Sequence, residues 1–167
     1  MNYIQSKEKQ KNTLEKQNVK QAAKRVNIVS LKMVREHSIM YPKRNVRSPE
    51  DAFNLLQTFL DELDREHFVV VCLDTKNQPT AINVCHMGSL NASIVHPREV
   101  LKVAILSNSA SILLAHNHPS TDPSPSKEDI EVTKRLLEAC EIIGIEILDH
   151  LIIGGQNYIS LKEKGYI

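Results

Sequence analysis

The stretch SILLAHNHPSTDPSPSKEDIEVTKRLLEAC, residues 111–140, decides the fold of this 167-residue chain. It begins with the apolar run SILLAH, which is short enough to be a buried β-strand. A loop rich in proline and serine follows, and Ser126 with Asp129 three residues later is typical of a capped helix start. Apolar residues then recur at helical spacing until Gly144 supplies a stop. The stretch therefore predicts a strand, a loop and a helix.

The segments on either side continue this alternation of short apolar runs and amphipathic stretches. Runs rich in Val, Ile and Leu predict strands, and apolar residues spaced by three or four predict helices. The predicted elements are helices at 49–64 and from Pro97 onward, and strands at 67–74, 81–85, 145–153 and 158–161. We therefore expect an α/β or mixed α+β fold, in which helices pack against one mixed sheet.

Charge is distributed unevenly along the chain, although the formal net charge is only +1. Residues 1–47 carry 12 Lys and Arg against three acidic residues, a net of +9, and the remaining 120 residues carry a net of −8. Residues 1–25 are predicted to form a flexible basic arm, because their apolar stripe is thin. From Val26 to Arg35, apolar and polar residues mix in the manner of an edge strand. The folded domain is therefore expected to cover residues 26–167.

Cysteine content and hydropathy bear on the compartment. Cys72, Cys85 and Cys140 form no CxxC pair, which predicts free thiols in a reducing environment. No apolar run approaches the roughly 20 residues that a membrane span needs, and the charged N-terminus lacks the apolar core of a secretory signal. These features predict a cytoplasmic protein without membrane contact. The sequence leaves the oligomeric state open, although an edge strand near residues 26–33 would offer a pairing surface.

The chemistry of the chain is concentrated around two histidines and one aspartate. His116 and His118 lie two residues apart at the end of the predicted strand, so both side chains face the same side of the sheet. Asp129 lies in the first turn of the following helix and offers a carboxylate from a rigid position. Two His and one Asp suit Zn²⁺ and leave a fourth position for water, which is the pattern of a catalytic site. Asp122 is set aside as a ligand, because it lies in the loop only four residues after His118.

The combination H-x-H-P followed by S-x-x-D resembles the JAMM motif of MPN-type metalloproteases. The flanking sequence is similar to the bacterial RadC family over residues 26–167, in DREHFVVVCLDTKNQP (64–79), SLNASIVHPREV (89–100), AHNHPSTDPSPSKEDIEVTKRLLEA (115–139) and GIEILDHLIIGG (144–155). The resemblance implies an MPN/JAB1-like, cytidine deaminase-like fold. It also implies a zinc metallopeptidase or isopeptidase acting on a peptide or protein, with one Zn²⁺ per chain held by His116, His118 and Asp129.

The resemblance implies two further catalytic residues. Ser126 matches the motif serine that helps hold the oxyanion, a role compatible with capping the helix. Glu66, directly before the strand at 67–74, matches the glutamate that accepts a proton from the attacking water and passes it to the leaving amine. Glu99 is the rival, but it begins a helix, where a glutamate is ordinarily only favourable to the helix dipole. Asp149 and His150 lie in an apolar strand, which indicates a structural role rather than metal ligation.

A second function remains open in the basic N-terminal segment. Residues 1–47 would meet phosphates in a nucleic-acid-associated accessory protein for DNA repair or recombination, although a solubilising helix or linker explains the same charge. The segment lacks interleaved aromatic residues for base stacking. It also lacks the helix-hairpin-helix region that precedes this domain in full-length RadC proteins. The hydrolase hypothesis therefore ranks first, and the sequence does not reveal its substrate.

Overall fold

A computed structural model describes residues 23–60, 63–88 and 95–167 of the chain. The described helices are α1 (Pro49–Leu60), α2 (Pro97–Leu106) and α3 (Lys127–Ile143), and the described strands are β1 (His67–Leu73), β2 (Pro79–Met87), β3 (Ser111–Asn117), β4 (Glu146–Gly154) and β5 (Asn157–Ser160). None of these helices is both long enough and apolar enough to cross a membrane. The first helix was predicted to run to Asp64 but is shorter: it ends at Leu60, and Leu63 is not helical.

The strands form a single sheet in the order β2-β1-β3-β4-β5. The β3–β4 pair is parallel and the other neighbouring pairs are antiparallel. Parallel strands require a crossover connection, and helix α3 supplies it between β3 and β4. The expected mixed sheet with flanking helices is therefore confirmed, and β3 lies at its centre.

Apolar side chains cover both faces of the sheet. One face packs against α2 and α3 through Phe68, Val70, Cys72, Ile112, Leu114, Val100, Leu101, Ala104, Val132, Leu136 and Cys140. The other face packs against α1 through Val69, Val71, Leu73, Leu113, Ala115, Leu151, Ala52, Leu55, Leu56 and Leu60. β3 is buried on both faces along its whole length, and its residues 112–115 accordingly form a continuous apolar run rather than an alternating pattern.

A register shift in β4 changes which side chains face α3. Between the pairs Ile112–Ile147 and Leu114–His150, β4 advances three residues while β3 advances two. Ile147 packs on the α3 side of the sheet, whereas Leu151 packs on the α1 side. Strict alternation would place both on one face, so the extra residue inverts the pattern. His150 is thereby turned toward α3.

The expected edge strand at residues 26–35 is wrong. The structure assigns no helix or strand to residues 23–40, and Val26, Ile28 and Leu31 are 80%, 102% and 75% exposed. Mixed apolar and polar residues are compatible with a strand, but a strand also needs a neighbour to complete its backbone hydrogen bonds. In the described sheet, β2 and β5 are the outer strands.

The chain divides into two compact units, residues 1–31 and 32–167. In the first unit the described residues, 23–31, are exposed and have no regular secondary structure. The predicted basic arm, residues 1–25, lies outside the described residues except for its last three positions. The domain boundary at residue 26 therefore stays a prediction.

The three cysteines are free, as their spacing predicted. Cys72 and Cys140 are buried, and Cys85 is half-buried. Burial raises the pKa of Cys85 to about 12 and that of Cys140 to about 11. Both thiols therefore stay protonated at neutral pH and are poor nucleophiles and poor metal ligands.

Helix α3 provides a direct test of the core. Leu136 is fully buried against the sheet, whereas Ile142 on the same helix is 85% exposed. We expect Leu136→Ala to lower the free energy of unfolding by about 2–5 kcal/mol, because it leaves a cavity. Ile142→Ala, the matched control, should change it by less than about 0.5 kcal/mol. Urea unfolding measures both values, and equal losses would contradict the assigned face of α3.

Candidate metal centre

The centre is built where β3 ends and α3 begins. His116 is the next-to-last residue of β3, and His118 follows the strand directly. Ser126 caps α3, with its Oγ accepting from the Asp129 N–H at 3.1 Å, while Asp129 Oδ2 accepts from the Ser126 N–H at 2.8 Å. This reciprocal capping box confirms the helix start predicted from the sequence. It also holds the Asp129 carboxylate in one orientation.

The structure brings the three predicted ligands together. One ligand atom from each of His116, His118 and Asp129 lies within 4.8 Å of the other two. The two Nε2 atoms are 3.0 Å apart, and the Asp129 oxygens lie 3.3 Å from His116 Nε2 and 3.7 Å from His118 Nε2. His116 and Asp129 are buried, whereas the His118 side chain is 14% exposed. The cluster is therefore closed on the protein side and open toward solvent beside His118.

The orientation of His118 is set by main-chain groups. Its N–H donates to the Ile153 carbonyl at 2.7 Å, which extends the β3–β4 pairing past the end of the strand. Its Nδ1 lies 2.7 Å from the Asp122 carbonyl oxygen. Because a carbonyl can only accept, Nδ1 carries the hydrogen, and the neutral ring has an unprotonated Nε2. That lone pair points into the cluster.

Electrostatics in the cluster suit a bound cation. Burial raises the pKa of the Asp129 carboxyl, but hydrogen bonds with His116, His118 and Ser126 outweigh it and hold the pKa well below its ordinary value. The hydrogen bond with Asp129 raises the pKa of His118. A carboxylate and imidazole lone pairs that face one another at these distances repel unless a proton or a metal ion lies between them. The cluster thus fits a metal site in its donor chemistry as well as in its geometry.

Glu66 lies near enough to this cluster for its charge to act on His118. Its carboxylate is one of the negative charges that raise the pKa of His118, although a smaller contributor than Asp129. Asn117 holds the main chain on both sides of it: Oδ1 accepts from the His67 N–H at 2.8 Å, and Nδ2 donates to the Arg65 carbonyl at 3.1 Å. The residue between the two ligand histidines therefore ties the Glu66 segment to the end of β3.

Glu99, the rival for the general acid/base, occupies a different setting. It lies in the first turn of α2 and pairs with Lys102, with 2.6 Å between Oε2 and Nζ. The hydrogen bond from Lys102 lowers the pKa of Glu99. This exposed ion pair is typical of a solvated helix surface.

Ser126 meets its predicted capping role, and its oxyanion role stays a prediction. The hydroxyl donates to Asp129 Oδ2 at 2.7 Å while Oγ accepts from the Asp129 N–H. Its hydrogen is therefore already engaged by the carboxylate. An oxyanion role requires the hydroxyl to turn away from Asp129 toward the reacting carbonyl.

Two buried residues lie behind His116. His116 Nδ1 is 2.8 Å from His150 Nε2, and His150 Nδ1 is 2.6 Å from Thr133 Oγ1. Burial lowers the pKa of His150 well below its usual value. The sequence indicated that His150 is not a ligand, and it is outside the ligand cluster. Thr133 was missed, although its position four residues after Asp129 places both on one face of α3.

Asp149 and Asp122 accept hydrogen bonds from main-chain N–H groups and are not part of the cluster. Asp149 Oδ1 accepts from the His150 N–H at 2.7 Å, and Oδ2 accepts from the Ser160 hydroxyl at 2.6 Å. This carboxylate lies at the register shift of β4 and satisfies a backbone donor there. Asp122 Oδ1 accepts from the Ser124 N–H at 2.9 Å within the loop. Neither belongs to the cluster of ligand atoms that the described residues form.

Fold and site together define a class: a mixed α/β domain with a His-His-Asp cluster where its central strand ends. Comparison with known families agrees, because residues 46–166 match the RadC-like JAB domain. The chain belongs to this family. A UPF0758 protein of Methanosarcina barkeri is 52% identical over 126 residues, which cover 75% of this chain and 55% of that protein. A UPF0758 protein of Caldanaerobacter subterraneus subsp. tengcongensis is 60% identical over 122 residues, 73% of this chain and 52% of that protein.

The chain spans about half the length of the curated relatives it matches. A UPF0758 protein of Geobacillus thermodenitrificans is 57% identical over 134 residues, which cover 80% of this chain and 59% of that protein. The shared part includes the strands and helices that carry the cluster. Family membership and the His-His-Asp cluster are together consistent with a metal-dependent hydrolase.

Gly154 tests how the loop after His118 depends on β4. A Cβ added at Gly154 would lie 2.5 Å from the Thr121 carbonyl oxygen and 2.8 Å from the Pro123 nitrogen. We expect Gly154→Ala to displace this loop, to cost about 1–3 kcal/mol by overpacking, and to weaken Zn²⁺ binding in a competition titration. Gly144→Ala is the control, because its Cβ meets no atom within 4 Å although φ is +78°. Gly144→Ala should lose stability but keep its Zn²⁺ affinity. Equal losses of affinity in the two variants would contradict a specific dependence of the site on the contact between Gly154 and the loop.

Proposed function

We propose that this chain is a zinc-dependent hydrolase that cleaves peptide or isopeptide bonds, with His116, His118 and Asp129 as its metal ligands. The observation that carries the proposal is the convergence of these three ligand atoms within 4.8 Å. Two imidazoles and one carboxylate suit Zn²⁺, whereas Mg²⁺ and Ca²⁺ prefer oxygen ligands. When bound, Zn²⁺ would polarise the scissile carbonyl and lower the pKa of a water molecule toward about 7.

The protein's own groups supply the proton transfers. In the proposal, the Glu66 carboxylate accepts a proton from the attacking water and delivers it to the amine nitrogen as the C–N bond breaks. Support comes from its charge, which acts on His118, and from the Asn117 hydrogen bonds that hold its neighbours. Glu99 is disfavoured because its carboxylate is paired with Lys102.

Metal content tests the ligand set. We expect purified protein loaded with Zn²⁺ and then desalted to retain about one zinc per chain by elemental analysis, because three protein ligands hold the ion. Asp129→Ala should retain almost none. Asp122→Asn, in the loop that precedes helix α3, is the control and should retain the full complement, because its side chain contacts Ser124 instead of the cluster. A wild-type chain that retains no metal would refute the proposal.

Catalysis is tested separately from metal binding. We expect the zinc-loaded wild type to cleave members of a peptide library, read by mass spectrometry, and Glu66→Gln to lower the rate by about 10²–10⁴-fold, since it removes the proton acceptor. Its zinc content should not change. Glu99→Gln is the control and should cleave at the wild-type rate. If Glu99→Gln is the inactive variant and Glu66→Gln is active, the two roles must be exchanged.

A further inference from the structure

An apolar segment at residues 26–34 is exposed over its whole length. It contains no glycine, proline or acidic residue, and it has neither helix nor strand. Its large apolar side chains are between 48% and 102% exposed: Val26, Ile28, Val29, Leu31, Met33 and Val34. A folded protein rarely leaves so many neighbouring apolar side chains in water, because their burial is the main driving force of folding and association. We therefore expect another surface to cover this segment.

The sequence of the segment has the alternation of a half-buried strand. Val29, Leu31 and Met33 are each two residues apart, and Ser30 and Lys32 lie between them. In an extended backbone the three apolar side chains share one face, and the two polar side chains share the other. A strand also needs a neighbour for its backbone N–H and C=O groups. This segment can therefore become a strand only by pairing with the open edge of a sheet.

Strand β2 offers the edge that matches the segment. It is one of the two outer strands of the described sheet, and its nine residues, Pro79–Met87, equal the segment in length. It carries no charged side chain, although charges are a usual protection of an open edge. Residues 81–84, between two register shifts, pair regularly with β1. The other outer strand, β5, has only four residues.

The α1 side of β2 is open as well as its edge. Helix α1 packs mainly over β3 and β4. Ile82 and Val84 are therefore only half-buried, beside the core that α1 covers. A strand added next to β2 with Val29, Leu31 and Met33 on this side would continue the apolar face beyond the present edge of the sheet.

We propose that residues 26–34 of one copy pair with β2 of a second copy, and that the exchange is reciprocal, so that two copies form a dimer. One chain carries both halves of the interaction, an unpaired segment and an uncharged open strand of the same length. A two-fold exchange uses both halves in each copy and leaves none free for a third copy. Each copy contributes two nine-residue stretches, close to the roughly 20–30 residues per partner of a stable interface.

Charge complementarity also favours a second copy as the partner. Residues 23–35 carry four basic side chains and no acidic ones, whereas residues 48–167 carry a net charge of −8. The segment of one copy is therefore attracted to the domain of another, which speeds their encounter. Neither the charges nor the open strand depends on the proposed hydrolase function, so the dimer and the activity can fail independently.

The first test is the oligomeric state of the full chain, measured by sedimentation equilibrium in reducing buffer. We expect a monomer–dimer equilibrium. Leu31→Glu should raise the dissociation constant by about 10–100-fold, because it places a charge among apolar side chains. Ser30→Glu adds the same charge on the opposite face of the strand and should change the constant by no more than about twofold. Both residues are exposed in the single chain, so neither substitution should unfold the domain.

The second test identifies the segments that pair. Hydrogen exchange should show protected amides in residues 26–34 and 79–87 of the dimer, and Leu31→Glu should remove the protection of both. Unlabelled and ¹⁵N-labelled protein are then mixed, cross-linked through lysines and analysed by mass spectrometry. Cross-links from Lys32 to Lys76, in the turn before β2, should join chains of different isotope content.

Each outcome decides the proposal. A chain that stays monomeric at every concentration overturns it, even if residues 79–87 are protected, because such protection means that the segment pairs with its own β2. A dimer that Leu31→Glu and Ser30→Glu weaken equally uses another surface and also overturns it. Assemblies larger than two copies contradict the reciprocal exchange. A dimer with the expected cross-links but without hydrolase activity supports the exchange and counts against the proposed function alone.

Discussion

The parallel pairing of β3 with β4 is the constraint on which the site depends. The pairing continues beyond β3 through the hydrogen bond from His118 to Ile153, which aims the second histidine. The register shift within the pair turns His150 toward α3, behind His116. Asp149 stabilises this irregular stretch by accepting from the His150 N–H. A regular pairing would direct His150 to the α1 face and leave His116 without its buried partner.

Because β3 lies between β1 and β4, each of these two strands places residues beside the site. On one side, β1 brings the Glu66 segment within reach of Asn117, whose amide holds the main chain around that glutamate. On the other side, β4 supplies His150. Asn117, between the two proposed ligand histidines, thus faces away from the cluster and holds the main chain on both sides of Glu66, the proposed proton acceptor. The three-residue stretch at 116–118 therefore carries two of the proposed ligands and also holds the segment of the proposed proton acceptor.

The first turn of helix α3 both begins the helix and carries Asp129, the third residue of the cluster. The capping box satisfies main-chain donors that the helix start would otherwise leave without partners. The same hydrogen bonds restrict the Asp129 carboxylate, so its orientation toward the histidines costs little further ordering. One turn later, Thr133 extends this rigidity to His150. The loop between His118 and Ser126 packs so closely against Gly154 that a single added carbon would meet it.

The sequence by itself determined the element order, the mixed sheet and the three residues of the cluster. These depend on local signals: the apolar run of β3, the two-residue spacing of His116 and His118, and the capping pattern of Ser126 and Asp129. Local signals failed at residues 26–35, where the pattern is strand-like but the structure assigns no helix or strand. They also failed at the end of α1, because apolar spacing predicts a helix to Asp64 whereas Leu63 is not helical.

Only the tertiary structure decided how the site is supported. The contact of His150 with His116 depends on a register shift between strands that are 34 residues apart in the chain. The amide of Asn117 holds a segment 50 residues earlier. Strand register is a property of two paired segments and is absent from the pattern of either one. The residues of the proposed metal site are therefore visible in the sequence, whereas the residues that orient them appear only after the strands are aligned.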